Sequence, residues 1–214
     1  LPLPDRLERV SQIEHEERER GTRRAVAGFD LTFSVPKSVS VLWALADGGT
    51  QAIIARAHYA ALRDVLDLME REVAATRVGA DASDGSVAHM DVTGFVATAY
   101  DHFDSRATDP QLHTHVVVAN KVRAVHDGRW RTLAGRPIHQ SVVAMSEHYN
   151  AVLADRLARD LGLVWESRDR GERRNPAFEL AAVPEALISE FSRRSHDIEA
   201  RADELIAAWR ERHG

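Results

Sequence analysis

The sequence predicts an α+β fold, in which a central antiparallel β-sheet has helices packed mainly on one of its faces. Residues 29–34 alternate strictly between apolar and polar side chains, as a half-buried strand does. The most β-branched run of the chain, LHTHVVVAN at 112–120, follows a polar turn and predicts another strand. Residues 51–76 and 137–161 instead repeat apolar side chains at helical spacing. Strands joined by short turns pair antiparallel, so we expect an antiparallel sheet.

Length and composition bound the class of protein. The chain has 214 residues, which suits one domain with a substantial core, and its 44% hydrophobic content excludes a disordered chain. It contains no cysteine, which excludes disulfides, thiolate metal sites and cysteine nucleophiles. The net charge of −5 argues against nucleic-acid binding over the whole surface but permits a local basic cleft. No apolar stretch approaches the roughly 18 residues of a membrane span.

The N-terminal part combines a charged segment with the first strand and helix. Residues 1–24 carry dense mixed charge and predict an exposed helix or lead-in segment, ahead of a core domain at 25–214. After the first strand, Pro36 suits the first turn of a helix that runs to Leu45, and Asp47-Gly48-Gly49 is expected to end that helix. Because the chain begins at Leu1 and not at methionine, we expect a fragment or a processed product.

The C-terminal part contains a hairpin and further helices. Asp127-Gly128 predicts the turn of a hairpin over residues 121–136. Pro137 then opens a helix that ends at Gly162. The other predicted elements are strands at 87–92, 95–103, 163–165 and 178–180, and two C-terminal helices within 184–212.

Three histidines have the spacing of a metal site on the predicted sheet. His113 and His115 are two residues apart in a strand, so both side chains leave the same face. His102 ends the preceding strand and falls opposite one of them in an antiparallel hairpin, where Cβ atoms lie about 4.5–5.5 Å apart. Three neutral imidazoles leave open coordination positions, as a catalytic metal requires. The alternative is that these are ordinary surface or core histidines.

Asp30 is the candidate partner of such a ligand. It lies on the polar face of an otherwise aromatic strand. Ligating histidines commonly donate their second ring N–H to a carboxylate, which orients the ring. The alternative is an aspartate that faces solvent from an edge strand.

The hairpin at 121–136 is the candidate nucleic-acid surface. It holds five basic residues against one acid, Asp127. Guanidinium groups pair with phosphates and an indole stacks on an unpaired base, which suits single-stranded DNA. The candidate contacts are Lys121, Arg123, Arg129, Trp130 and Arg131. A solvated hairpin with a core tryptophan is the alternative.

Three blocks of the chain resemble the conjugative relaxase domain of the MobF class, a group of HUH endonucleases. They are GFDLTFSVPKSVSVLWAL at 28–45, FDSRATDPQLHTHVVVANKV at 103–122 with His102 before it, and DGRWRTLAGRPIHQSVVAMSEHYN at 127–150. The likeness continues through AAVPEALISEFSRRSHDIEA at 181–200. The spacing H-x10-H-x-H is highly specific, and the first block agrees with it independently.

The resemblance implies a site and a chemistry. By matching positions, His102, His113 and His115 bind a divalent cation, and Asp30 orients a ligating histidine. In such enzymes the cation is commonly Mg²⁺ or Mn²⁺, although Zn²⁺, Ni²⁺ or Co²⁺ would also suit imidazole ligands. It polarises the scissile phosphate of one DNA strand at the transfer origin. A tyrosine hydroxyl attacks that phosphorus, becomes joined to the 5′ end and releases a 3′ hydroxyl.

The resemblance also implies partners and a location. The expected partners are single-stranded or origin-of-transfer DNA, other conjugation proteins and a helicase domain that follows in large bifunctional relaxases. Lys37 and Arg106 flank the Asp30 strand and the histidine hairpin, where phosphate contact is expected. We expect a bacterial cytoplasmic location and no membrane segment.

The tyrosines depart from the family pattern. The family's nucleophilic tyrosines precede the strand that holds Asp30, and no tyrosine precedes it here. Tyr59 and Tyr149 lie in predicted helices and suit packing, while Tyr100 suits packing or a DNA contact. We therefore expect a relaxase whose nucleophile lies upstream, so that this chain alone does not nick DNA. The alternatives are a non-catalytic module that binds single-stranded DNA and metal, and a three-histidine metalloenzyme acting on a small molecule.

Overall fold

The computed structural model describes residues 26–78, 88–171 and 175–213, and the predicted lead-in at 1–24 lies outside them. Within these ranges the helices are α1 Lys37–Leu45, α2 Gly48–Glu72, α3 Gly135–Leu161, α4 Glu185–Glu190 and α5 Arg193–His213. The strands are β1 Gly28–Ser34, β2 Ala75–Val78, β3 Ala88–Asp91, β4 Ala97–Asp104, β5 Pro110–Ala119, β6 Val122–Arg123, β7 Trp130–Arg131, β8 Trp165–Arg168 and β9 Ala177–Leu180.

The main sheet of the described chain has three antiparallel strands in the order β1-β5-β4, so β5 is its centre. The predicted α+β class with an antiparallel sheet is confirmed. His102 on β4 pairs with His113 on β5, and the register of the two strands shifts between His102 and Asp104. On the other side of β5, Thr32 of β1 pairs with His115. Strands β2–β3, β6–β7 and β8–β9 form separate two-stranded pairs.

Alternation along β5 separates the core from the opposite face. Leu112, Val116 and Val118 are almost fully buried, and they belong to one apolar cluster with residues of α2 and α3. The histidines, at odd positions of β5, leave the opposite face. Phe33 of β1 joins the core side, where its ring lies 5.5 Å from that of Tyr149 on α3. Both long helices therefore cover the face that does not carry the histidines.

Two helix boundaries differ from the sequence prediction, and one agrees with it. Asp47 does not end α1 as predicted; its carboxylate accepts from the backbone N–H groups of Gly49 and Thr50 and caps α2. Helix α2 ends at Glu72, and Thr76 belongs to β2. Gly162 closes α3 as predicted, because its φ of 67° suits glycine.

Helix α5 is exposed along its described length. Its large apolar side chains include Ile198, Leu205 and Trp209, each more than half exposed. No helix among the described residues combines the length and apolar character needed to cross a bilayer.

One histidine is buried beneath the sheet and fully hydrogen-bonded. His58 of α2 is 0% exposed, with Nδ1 2.6 Å from the hydroxyl of Tyr149 and Nε2 2.8 Å from the hydroxyl of Thr114. Burial lowers the pKa of His58 to about 4, against the opposing effect of Asp101, and His113 lowers it further. The ring is therefore neutral in the folded protein at neutral pH.

Acid should destabilise the fold through His58. Between pH 6.5 and pH 4 the unfolded chain binds a proton at this ring that the folded chain does not. The free energy of unfolding should fall across this window, by about 3 kcal/mol from this group. Urea denaturation at pH 7, 5.5 and 4.5, with His58→Gln for comparison, measures the effect. Equal losses in both proteins would contradict it.

Candidate metal centre and nucleic-acid surface

The three predicted ligands lie together on the open face of the sheet. The ring centroids of His102 and His113 are 5.1 Å apart, and each lies 5.2 Å from that of His115. The pairing of β4 with β5 puts His102 opposite His113, and the two-residue repeat of β5 puts His115 beside them. Strand geometry alone therefore produces a cluster of three imidazoles.

Hydrogen bonds assign the tautomers of two of the rings. Nδ1 of His113 lies 2.8 Å from the carbonyl oxygen of Gln111. Nδ1 of His115 lies 2.9 Å from both carboxylate oxygens of Asp30 and 3.2 Å from the hydroxyl of Thr32. Carbonyl and carboxylate oxygens only accept, so each Nδ1 carries the proton and donates it. Each ring consequently presents an unprotonated Nε2, the atom that can bind a cation.

His102 differs from the other two. It lies on an exposed strand and its ring contacts both partner rings, but the ring makes no hydrogen bond with the described residues. As they stand, the described residues include no group of three histidine, aspartate or glutamate side chains arranged to hold a metal ion. The torsion that turns an imidazole is broad and shallow, so His102 can rotate at little cost.

Lys37 and Arg106 lie at the end of the sheet where β5 begins. The ammonium of Lys37 donates to the carbonyl of Pro110 over 2.8 Å, at the edge of a cavity of about 640 Å³ that Gln111 also lines. Burial lowers the pKa of Lys37, and the carboxylates of Asp109 and Glu179 oppose that shift. Arg106 is exposed on the turn between β4 and β5. Lys37 thus contacts the first residue of β5, and Arg106 lies on the turn that leads into it.

The predicted hairpin forms, but two of its arginines are engaged within it. The guanidinium of Arg131 donates to both carboxylate oxygens of Asp127 over 2.7 and 2.6 Å, and it holds the pKa of Asp127 far below its usual range. Arg123 donates to the carbonyl of Gly128 over 3.0 Å. These two residues fix the turn.

The other three candidate DNA contacts of the hairpin face solvent. Trp130 is 55% exposed, which contradicts the alternative of a core tryptophan. The ammonium of Lys121 lies 6.0 Å from the centroid of its ring. The side chain of Arg129 is exposed and forms no ion pair with the described residues. An exposed indole with exposed basic residues close to it in the hairpin is a platform on which a base can stack.

The three tyrosines occupy very different places. Tyr149 is 4% exposed, and burial raises the pKa of its hydroxyl. Tyr59 lies on the helix-covered side and donates to Asp101 over 2.9 Å. Tyr100 is 55% exposed and lies opposite His115, on the histidine face. Tyr149 is a packing residue as predicted, whereas the exposure of Tyr100 excludes a packing role.

Sequence reasoning missed several residues around the histidines. Gln111 contacts His113 through its backbone carbonyl, and Thr32 contacts His115 through its hydroxyl. Neither kind of contact can be recognised from a sequence pattern. His58 and Thr114 lie on the opposite side of the sheet. The alternation of β5 points Thr114 toward the core, and this was the one available signal for a buried polar partner.

The chain is similar to proteins of bacterial conjugation. Multifunctional conjugation protein TraI of Escherichia coli is 36% identical over 190 residues, and that of strain K12 is 34% identical over 188 residues. Each alignment covers 83% of this chain but 10% of the relative. This chain thus spans about a tenth of the curated relatives that it matches.

Solved structures agree with the sequence comparison. The copper-bound complex of conjugative relaxase TrwC with oriT DNA has a TM-score of 0.69 and 35% identity, over 84% of this chain and 57% of that one. TrwC bound to a 27-mer DNA with the recognition hairpin and cleavage site has a TM-score of 0.69 and 32% identity, over 83% and 58%. The family model of the TrwC relaxase matches residues 4–214. In agreement with the resemblance of its motifs, this chain belongs to the TrwC relaxase family.

Proposed function

We propose that this chain is the metal- and DNA-binding core of a conjugative relaxase, which nicks and transfers one strand of origin-of-transfer DNA. The observation that carries the proposal is the pair of Nδ1 hydrogen bonds at His113 and His115. A histidine that donates from Nδ1 to an oxygen and leaves Nε2 free has the arrangement of a metal ligand. TrwC, the similar protein, has been solved with metal and with oriT DNA.

The three imidazoles fit a divalent cation in number and spacing. Rings that share one tetrahedral ion through nitrogens at about 2.1 Å have centroids about 5 Å apart. The observed separations of 5.1–5.2 Å match this spacing. For the three rings to direct a nitrogen at one ion, a ring must rotate. His102 can do so, because its ring has no hydrogen bond with the described residues to break. Imidazole ligands bind Ni²⁺, Cu²⁺ and Zn²⁺ more tightly than Mg²⁺ or Mn²⁺, so the native ion, which we propose to be Mg²⁺ or Mn²⁺, depends on availability.

A bound divalent ion would polarise the scissile phosphate as a Lewis acid. The other groups of the chain would position that phosphate. Asp30 fixes the ring of His115, and Gln111 fixes that of His113. Lys37 and Arg106 would pair with flanking phosphates. Lys121, Arg129 and Trp130 would hold an unpaired segment of the strand at the hairpin.

The nucleophile is none of the tyrosines in this chain. Tyr149 is buried, and Tyr59 points to the opposite side of the sheet from the histidines. Tyr100 shares the histidine face, but it is fixed in the same strand as His102, two residues away, which leaves its hydroxyl little freedom to attack a phosphate in line. A tyrosine from outside these 214 residues must therefore provide the attacking oxygen. A helicase domain in the whole protein stays a prediction.

The same observation supports a second candidate function. A chain that binds metal and single-stranded DNA but has no tyrosine in place would act as a non-catalytic module. Covalent adduct formation distinguishes the two candidates.

Metal binding should require the histidine cluster. We expect His113→Ala or His115→Ala to abolish stoichiometric Mn²⁺ binding in calorimetry, because two imidazoles remain. Asp30→Ala should weaken binding about 10- to 100-fold through loss of ring orientation. His126→Ala, which removes an exposed histidine of the hairpin, is the matched control and should bind normally. Undiminished binding in the two cluster variants would disprove the site.

Single-stranded DNA binding should depend on the solvent-facing hairpin residues. We expect Arg129→Ala with Trp130→Ala to weaken binding about tenfold or more and to flatten its salt dependence, because a phosphate contact and a stacked base are lost. Fluorescence anisotropy at several salt concentrations measures both effects. Arg159→Ala, an exposed arginine of α3, is the control. Equal affinities for all three proteins would place the DNA surface elsewhere.

The chain should form no covalent adduct with origin DNA. Denaturing electrophoresis of labelled single-stranded DNA incubated with Mn²⁺ and the chain tests this. A longer protein with an upstream tyrosine should form the adduct, because it has the attacking oxygen. An adduct formed by the 214-residue chain and lost in Tyr100→Phe would show that Tyr100 is the nucleophile.

A further inference from the structure

A chain of hydrogen bonds lies directly behind the histidine cluster, on the helix-covered side of the sheet. It begins at Tyr149, passes through His58 of α2, and reaches the hydroxyl of Thr114 on β5. That hydroxyl lies 2.7 Å from Asp101 Oδ1 on β4. The other carboxylate oxygen of Asp101 accepts from Tyr59 over 2.9 Å. Two strands and two helices thus meet in one network.

The network has a single arrangement of protons. A carboxylate only accepts, so the Thr114 hydroxyl donates to Asp101. The Thr114 oxygen must then accept from Nε2–H of His58, which leaves Nδ1 of that ring to accept from the hydroxyl of Tyr149. His58 and Thr114 each donate one hydrogen bond and accept one, Asp101 accepts two, and each of the two tyrosines donates one. Such a network specifies one geometry, because any displacement leaves a buried polar group without a partner.

Its position links it to the proposed ligands. Asp101 and Thr114 are a cross-strand pair, and the adjacent pair is His102 with His113. Thr114 lies between His113 and His115 in sequence, and Asp101 precedes His102. The bond from Thr114 to Asp101 therefore joins β4 to β5 directly beside the three histidines.

Strand β4 is the exposed edge strand that this bond ties to the centre of the sheet. All eight of its residues are exposed, and it lies at one edge of the three-stranded sheet. Its register with β5 shifts immediately after His102, so the backbone ladder is interrupted on that side of the pair. On the other side the backbone pairing continues through Asp101 and Thr114, and their side-chain bond reinforces it next to His102.

We propose that Thr114, Asp101 and His58 are positioning residues, which hold β4 so that His102 meets His113 and His115 at the spacing that one metal ion needs. The inference rests on the proposed metal site and deepens it. Outer groups that orient ligands typically change metal affinity 10- to 100-fold when removed.

The test compares two substitutions at Thr114. Thr114→Val keeps the shape and β-branching but removes the hydroxyl, and we expect about a tenfold loss of Mn²⁺ affinity in calorimetry. Thr114→Ser keeps the hydroxyl and should stay within about threefold of the wild type. With Cu²⁺ as the probe, electron paramagnetic resonance should show fewer imidazole nitrogens in Thr114→Val than in the wild type. A role in packing alone would not change that spectrum.

Thr76→Val is the matched control. Thr76 is buried like Thr114, and its hydroxyl donates to the carbonyl of Thr132 over 2.8 Å, away from the histidines. It should lose stability but keep Mn²⁺ affinity. Equal affinity losses in the two valine variants, or none in Thr114→Val, would overturn the inference. If Thr114→Val does not fold, Asp101→Ala at the exposed end of the same bond decides: about a tenfold loss of Mn²⁺ affinity supports the inference, and unchanged affinity overturns it.

The wild type separates this inference from the proposed function. If the wild-type chain binds neither Mn²⁺ nor Cu²⁺, the metal site itself is wrong. If it binds both and the substitutions at Thr114 change nothing, the positioning role alone is wrong.

Discussion

The two-residue alternation of β5 is the constraint on which the rest of the structure depends. Its even positions are buried against α2 and α3, and its odd positions carry His113 and His115 on the open face. A slip of one residue in register would bury the histidines and expose the core side chains. Burial of Leu112, Val116 and Val118 thus fixes the direction of the imidazoles. The same strand pairing therefore determines both which side chains are buried and which way the histidines point.

Much of the fold and the cluster was predictable because it follows from periodicity. The strands that hold Asp30 and the histidines, the hairpin at Asp127-Gly128 and the end of α3 at Gly162 all have local signals. The cap of α2 was assigned wrongly, because Asp47 followed by two glycines also suits the end of a helix. The sequence could not show which nitrogen of each imidazole carries the proton. That depends on the carbonyl of Gln111 and the carboxylate of Asp30, and the contact with Asp30 forms only once β1 pairs with β5.

The hairpin shows how charge counts can mislead. Five basic residues against one acid suggest a uniformly cationic surface. The one acid, however, engages Arg131 through two hydrogen bonds, and the turn carbonyl of Gly128 engages Arg123. Lys121, whose ammonium lies 6.0 Å from the centre of the Trp130 ring, and Arg129, the residue before Trp130, keep their charges exposed. The cationic surface that is free to contact DNA is therefore smaller than the composition implies, because Arg123 and Arg131 hold the turn together.

The register shift after His102 has a consequence for the behaviour of the protein at high concentration. An exposed edge strand offers unpaired N–H and C=O groups, to which the edge of another molecule can add and so start aggregation. Irregular pairing bends and twists a strand locally, which makes a poor template for such addition. The shift lies near the end of β4, beside the imidazoles. The irregularity there would keep the histidine end of this edge from docking against a second sheet and leave it open to solvent.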